Sequence, residues 1–462
     1  MAIIKNPLTI TIQVGGGSGE GGGEAVETKE IIIPLTSDFS GFSNFYYFQF
    51  NEDKILYCSN LAVGIWEYTI STNTSRQLYS VGGSWQYFQI IGDRCLIGCG
   101  VNTYQGLLSY DSKSGTITQI FSTGFFWRYF HTIGNNFLIG ASGANTGVLF
   151  YDSSTNTATQ LYSTGANWQH FMQVGEDYLI GSSGTAGLLL YESSTNTITS
   201  VYGAYTNWRY IKEIESGALL GSSTANTGIL FYDSENKTVE RIYTIAANWQ
   251  YFKPVDGGVL VSCSTSGTGI LFFDTSTKTI AQIYEAGYYW CYFQQIGADC
   301  LISSSSSSYL LLYESATRTI TIVSKDNYAG WQYFQKVGDN YLIGAQQSNA
   351  GILLYETATK TATRIYTSGS HYSNFKIVEA GCLISSGITT NTGLLLFDTS
   401  TQTISKIYNT GYGYSVFIEN ELGLLIYSDL TSTTGDIIIP YVLQYNTADK
   451  TVNMVGYRLG GI

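Results

Sequence analysis

An aromatic residue, usually opening the run W-[QR]-Y-F, returns at a nearly fixed distance along this chain. It stands at Phe45, Trp85, Trp127, Trp168, Trp208, Trp249, Trp290, Trp331, Tyr372 and Tyr414. The intervals are 40, 42, 41, 40, 41, 41, 41, 41 and 42 residues. A period of this size constrains the fold more than any composition can. Each unit is one supersecondary element that buries its apolar face only against its neighbours. Ten such units run from about residue 40 to the end.

Within a unit, four short apolar segments recur. After Trp331 they are WQYFQKVG, NYLIGAQ, AGILLYE and TATRIYT. All are rich in aromatic or β-branched residues and bounded by Gly, Asp, Asn, Ser or Thr, the signature of strands. None keeps a helical period. With 38 Tyr, 51 Gly and only 4 Pro, composition also favours strands and tight turns. Four strands in about 41 residues is the size of a propeller blade. The expected fold is all-β, a β-propeller of ten four-stranded blades. The alternative is two five-bladed propellers, but the spacing across the midpoint, Trp208 to Trp249, stays at 41.

The third and fourth segments are joined by a turn of the form aromatic-[DE]-x-x-[ST]-x-T, as in YDSSTNT, YESSTNT and FDTSTKT. It resembles the YDxxTNTW turn of kelch-like propeller repeats. The resemblance covers the hairpin and the blade length, not the kelch double glycine, and implies the fold alone. An acid opening a turn can accept hydrogen bonds from the following backbone N–H groups. Four residues after it stand Gly115, Asn156, Asn196, Lys237, Lys278, Arg318, Lys360 and Gln402. A left-handed residue followed by a bulge suits that position. The acids are Glu67, Asp111, Asp152, Glu192, Asp233, Asp274, Glu314, Glu356 and Asp398. Two readings fit them: a ring of carboxylates for cations or a basic partner, or one turn cap per blade. Turn chemistry favours the cap.

The ends differ from the repeat. Residues 1–29 hold one strand-like piece, LTITIQV, and a glycine-rich linker, GGGSGEGGGEAVE; residues 30–462 are the propeller. EIIIP at 30–34 echoes DIIIP at 436–440. The early copy could pair with the last blade and close it, but KTVNMVGY competes for that place. A lone strand on a glycine tether cannot fold alone, and would add to another protein's sheet edge as an anchor.

Composition excludes several classes of function. A net charge of −12 argues against nucleic acid and anionic membranes as partners. No apolar run approaches the length of a membrane span, and Lys5, Asn6 and Pro7 interrupt any signal-peptide core. Seven cysteines form no CxxC pair. Cys95, Cys300 and Cys382 share one repeat position and read as buried reduced thiols. The three histidines, His131, His170 and His371, occupy unrelated repeat positions. There is no nucleophile elbow, phosphate loop or metal-spaced cluster. No enzyme, metal or cofactor is expected.

A binding site is expected where the copies disagree. The segments leading into each opening aromatic vary, as GGSW, GFFW, GANW, GYYW and GSHY. Their candidate ligand-binding residues are Phe125, Phe126, Tyr205, Tyr288, Tyr289, Tyr328, His371 and Tyr412. The second-to-third connections on the same face are rich in Ser, Thr, Asn and Gly, as in SGANTG. Aromatics beside short polar groups suit carbohydrate, and equally protein recognition. The opening Trp reads as a wedge between blades rather than a ligand contact. The residue after it (Gln86, Arg128, Gln169, Arg209, Gln250, Gln332) is expected to line a channel.

The leader IKNPLTI followed by glycines, ahead of a repetitive Tyr/Ser/Thr/Gly-rich β-domain, resembles bacteriophage virion proteins. The resemblance implies a tail, fibre or head-decoration protein located in the virion. Residues 1–29 would contact other virion proteins, and the propeller a host surface glycan or receptor. The alternative is a free-standing bacterial lectin or scaffold, at the cell surface or outside it.

Overall fold

The computed structural model describes the chain except residues 1–7, 15–26, 34–44, 52, 60–63, 82–84, 101–105, 125, 143–146, 165–166, 184–186, 204–206, 223–227, 246, 265–267, 286–287, 306, 326–329, 347–350, 368–370, 387–392, 409–413, 421–422, 429–440 and 458–462. Among the described residues every regular element is a strand, β1 to β42 in chain order, with no helix. Forty of them form ten four-stranded antiparallel sheets, each built from four consecutive strands. The all-β, ten-bladed reading stands. Contacts divide the chain into two compact units, Met1–Arg209 and Tyr210–Ile462. The first holds blades one to four and the start of blade five; the second holds the rest.

Blade eight shows how sequence becomes structure. Its strands are β31 (Trp331–Val337), β32 (Asn340–Ala345), β33 (Ile352–Glu356) and β34 (Thr361–Tyr366), matching the four apolar segments. The two middle strands are buried almost throughout. Both of their faces meet neighbouring blades, so their apolar runs are continuous rather than alternating. The fourth strand is the sheet edge and is half-buried to exposed along its length. The core lies between blades: one cluster joins Leu301, Leu310 and Leu312 of blade seven to Trp331, Ile343 and Leu353 of blade eight. Another joins Leu138 and Val148 of blade three to Trp168, Ile180 and Leu189 of blade four.

The ends differ from expectation. β1 (Leu8–Val14) is not alone: it pairs antiparallel with β2 (Glu27–Ile33), Leu8 opposite Ile33. The N-terminal segment is a two-stranded hairpin, and β2 runs across residue 29, where the linker was expected to end. The last blade takes its fourth strand from its own end, β42 (Thr451–Tyr457) pairing with β41 (Tyr441–Asn446). Glu30–Ile33 therefore does not complete it. The echo at 436–440 lies outside the described residues.

Candidate functional site

The turns between third and fourth strands come first, because their carboxylates were one candidate site. Asp111 Oδ1 accepts from the N–H groups of Lys113 and Ser114 at 2.9 and 3.0 Å. Asp233, Asp274 and Asp398 accept from the following turn in the same way. The left-handed position is occupied in all ten blades, by Asn73, Gly115, Asn156, Asn196, Lys237, Lys278, Arg318, Lys360, Gln402 and Lys450, with φ from 53° to 63°. Asp111, Asp152, Asp233, Asp274 and Asp398 are turn caps.

The structure corrects one member of the row. Glu67 sits two residues before the cap position, inside β5 (Ile65–Thr69). It is buried and takes Arg76 Nε at 2.8 Å, Lys54 Nζ at 3.5 Å and the Tyr110 hydroxyl. A residue opening the second strand bonds the N–H just after the cap position, both where that position holds Asp, as Asn136 accepts from Ser153 at 3.0 Å, and where it holds Glu. Asp177, Asp299 and Asn340 accept the N–H of Ser193, Ser315 and Thr357 at 3.1, 3.0 and 3.2 Å. Sequence reasoning missed these; the recurrent Asp or Asn before the second apolar run was the available signal.

The basic left-handed residues have a second function. Lys278 Nζ reaches Asp233 of the preceding blade at 2.7 Å, and Arg318 reaches Asp274. Lys360 bridges Glu314 at 2.6 Å and Asp299 at 3.0 Å. Lys450 reaches Asp398, whose carboxyl this ammonium holds well below the usual range. These carboxylates are engaged in capping and in blade-to-blade ion pairs. Among the described residues no group of three or more His, Cys, Asp or Glu could hold a metal.

The opening aromatics are frame as well. Trp85, Trp127, Trp168, Trp208, Trp249, Trp290 and Trp331 are completely buried. Each of the first six meets the last aromatic of the preceding blade edge to face: Tyr162 and Trp168 lie 5.7 Å apart at 87°. The Trp168 indole donates to the Thr164 carbonyl at 3.3 Å. Its own carbonyl presses on Gly140 of the preceding blade, where a Cβ would come within 1.9 Å. Ser262 and Ser303 occupy the same repeat position and donate a hydroxyl to the Trp290 and Trp331 carbonyls.

Of the eight loop aromatics, Phe125, Tyr205, Tyr328 and Tyr412 lie outside the described residues. Phe126 and His371 are half-buried and left-handed, φ 58° and 53°. Bulky residues adopt that conformation only when the surroundings hold it. Tyr289 is exposed, and Tyr288 is not a free ligand contact: it packs against Trp290 at 5.8 Å and Tyr309 at 5.7 Å. The shared face of the two loop sets is real. Ser142, after the second strand of blade three, donates its N–H to the Phe126 carbonyl before the first strand, at 3.1 Å. Gln346 and Gly330 repeat the bond at 2.9 Å in blade eight.

The residue after the opening aromatic behaves differently from a simple alternating strand position. In blades two to four and six to ten the pairing slips there, leaving that residue as a β-bulge. Arg128 lies 4.7 Å over the Tyr129 ring and 5.9 Å from that of Tyr87. His131 stacks on Phe171, and burial lowers the pKa of both His131 and His170. The seven cysteines are free thiols, six buried and Cys291 half-buried.

No protein-family model matches the chain, and no curated protein matches it. Solved structures do. An extracellular domain assigned to a one-component system from B. thetaiotaomicron is 13% identical, with TM-score 0.28, over 93% of this chain and 68% of that one. Apo AztD from Citrobacter koseri is 9% identical, with TM-score 0.35, over 80% and 96%. The dihydro-heme d1 dehydrogenase NirN is 11% identical, with TM-score 0.34, over 67% and 72%. At these values the fold rests on the strand order itself.

Proposed function

We propose that this chain is a non-enzymatic binding protein of a bacteriophage particle. Its blades would present variable loops to a host surface glycan, and the N-terminal hairpin would attach it to other virion proteins. One observation carries the reading. The repeated side chains are occupied in the frame, as buried wedges, turn caps and ion pairs, so variation is concentrated in the loops before each first strand. Exposed Tyr289 and left-handed Phe126 and His371 belong to those stretches, whose sequence combines aromatics with Ser, Thr, Asn and Gly, a mixture that recognises sugar hydroxyls and apolar ring faces. The phage assignment is supported by the IKNPLTI leader and its glycine tract.

Two experiments test it. Phe126→Gly and His371→Gly suit the left-handed backbone, so with Tyr289→Ala they remove rings while keeping the loops. On an array of host-surface glycans the native chain is expected to bind and the triple variant to bind more weakly. A chain that binds no glycan but captures a virion or envelope protein points to a scaffold instead. Deleting residues 1–33 removes the hairpin, and is expected to abolish incorporation into particles. Normal incorporation would refute the anchor.

A further inference from the structure

We propose that the first strands of blades seven, eight and nine form a binding cleft for a neutral oligosaccharide, distinct from the loop aromatics. For its ligand class the proposal rests on the glycan reading above. The strands are β27 (Trp290–Ile296), β31 and β35 (Tyr372–Val378). An open cleft of about 500 Å³ crosses them, lined by Tyr292, Tyr333, Gln294, Gln332 and Gln335, with phenylalanines between. That volume lies within the roughly 300–1,000 Å³ of small-molecule sites.

Three features select the ligand. No lining residue is charged, in a chain of net charge −12. An ionic ligand would find no counter-charge in the walls, whereas a neutral one loses nothing.

Second, the three bulged residues Cys291, Gln332 and Ser373 all line the cleft. A bulge takes the strand edge out of register and re-aims its side chain. Bulges at the start of each edge disfavour an added peptide strand, and leave side chains as the groups that face a ligand there.

Third, the amides are already held. Gln294 Nε2 donates to the Gln295 carbonyl at 3.0 Å, Gln335 Nε2 to the Lys336 carbonyl at 3.0 Å, and Gln332 Nε2 to Gln346 Oε1 at 2.5 Å. Each amide retains its carbonyl oxygen and a second N–H. Tyr292 is tied to the Cys291 thiol. Phe293, Phe334 and Phe375, which line the cleft as well, pack against blade cores. Fixed amide donors and acceptors beside aromatic rings match the hydroxyl edge and apolar face of a pyranose, and their fixation lowers the entropic cost of binding.

Cys291, the one half-buried thiol of the seven, reports on occupancy. Its iodoacetamide alkylation in the full chain, followed by peptide mass mapping, is measured alone and with maltohexaose, chitohexaose or mannohexaose. At least one sugar is expected to slow alkylation severalfold. Gln332→Glu, which keeps the shape of the wall, and Tyr333→Ala are expected to weaken that protection roughly tenfold in sugar concentration. Protection by none of the three sugars overturns the cleft, as does protection that survives both cleft substitutions. Glycan binding that is lost in Tyr289→Ala while Cys291 alkylates at its free rate keeps the loop reading and overturns only the cleft.

Discussion

Lys278 shows what a single residue is asked to do in this frame. A non-glycine residue in the left-handed region costs roughly 1–2 kcal/mol, and asparagine tolerates it best. In the first unit the position is filled by Asn73, Asn156 and Asn196, each accepting from the Tyr hydroxyl five residues earlier. In the second unit Lys278, Arg318, Lys360 and Lys450 take the strain and reach a carboxylate of the preceding blade. The Lys278 ammonium is the main cause that holds Asp233 at about 2, and for Asp274 the Ser276 hydroxyl leads to the same value of about 2. An unfolded Asp titrates near ~3.9. Depressed pKa values contribute stability that is complete above that pH and is lost as pH falls through it towards about 2. Thermal melts are therefore expected to hold steady from neutral pH to about 5, then fall below about 4. Asp233→Asn should flatten the fall. Lys278→Met should cost about 0.5–1 kcal/mol at low salt and less at high salt.

At the scale of the element, the blade is held by contacts that tolerate almost no added volume. Gly147 precedes β13 (Val148–Asp152) with φ +77°, and a Cβ there would lie 1.7 Å from the Tyr162 carbonyl oxygen. Gly147→Ala combines a strained conformation with a backbone collision, so a loss of at least about 2 kcal/mol is expected in chemical denaturation. Gly344 tests the blade-to-blade approach: a Cβ would meet the Tyr372 carbonyl at 1.9 Å. Ser303 answers the same geometry with a hydroxyl donated to the Trp331 carbonyl. Ser303→Gly is expected to cost only about 1 kcal/mol, one hydrogen bond, while Gly344→Val should be severely destabilising. Equal losses for the two would contradict a shared role.

Across the whole molecule, burial should govern thiol chemistry. Burial pushes Cys95, Cys300 and Cys382 up to about 12 and raises Cys58 and Cys291 as well. The thiolate is the reactive form. Native chain at about pH 8 is therefore expected to be alkylated slowly at Cys291 alone, and at all seven cysteines once denatured. Rapid labelling of any buried thiol in native chain would contradict the core assignment.

The repeat spacing determined the all-β fold, the number of blades and the four strands in each. Ten near-copies each show the same four apolar runs and the same turn chemistry, and local signals reinforce one another when repeated. The left-handed position was legible for the same reason, because Gly and Asn appear there among the copies. Tertiary structure decided what lies between copies. No local signal tells that a lysine in one turn will meet the acid of the turn before it, or that Glu67 is an ion-pair centre rather than a cap. The bulge after Trp331 changes which way Gln332 points, and strand alternation alone could not show that. β1 and β2 were assigned separate roles because their pairing spans a glycine tract that carries no register. In each case the deciding partner is distant in sequence, so its identity depends on how strands are brought together.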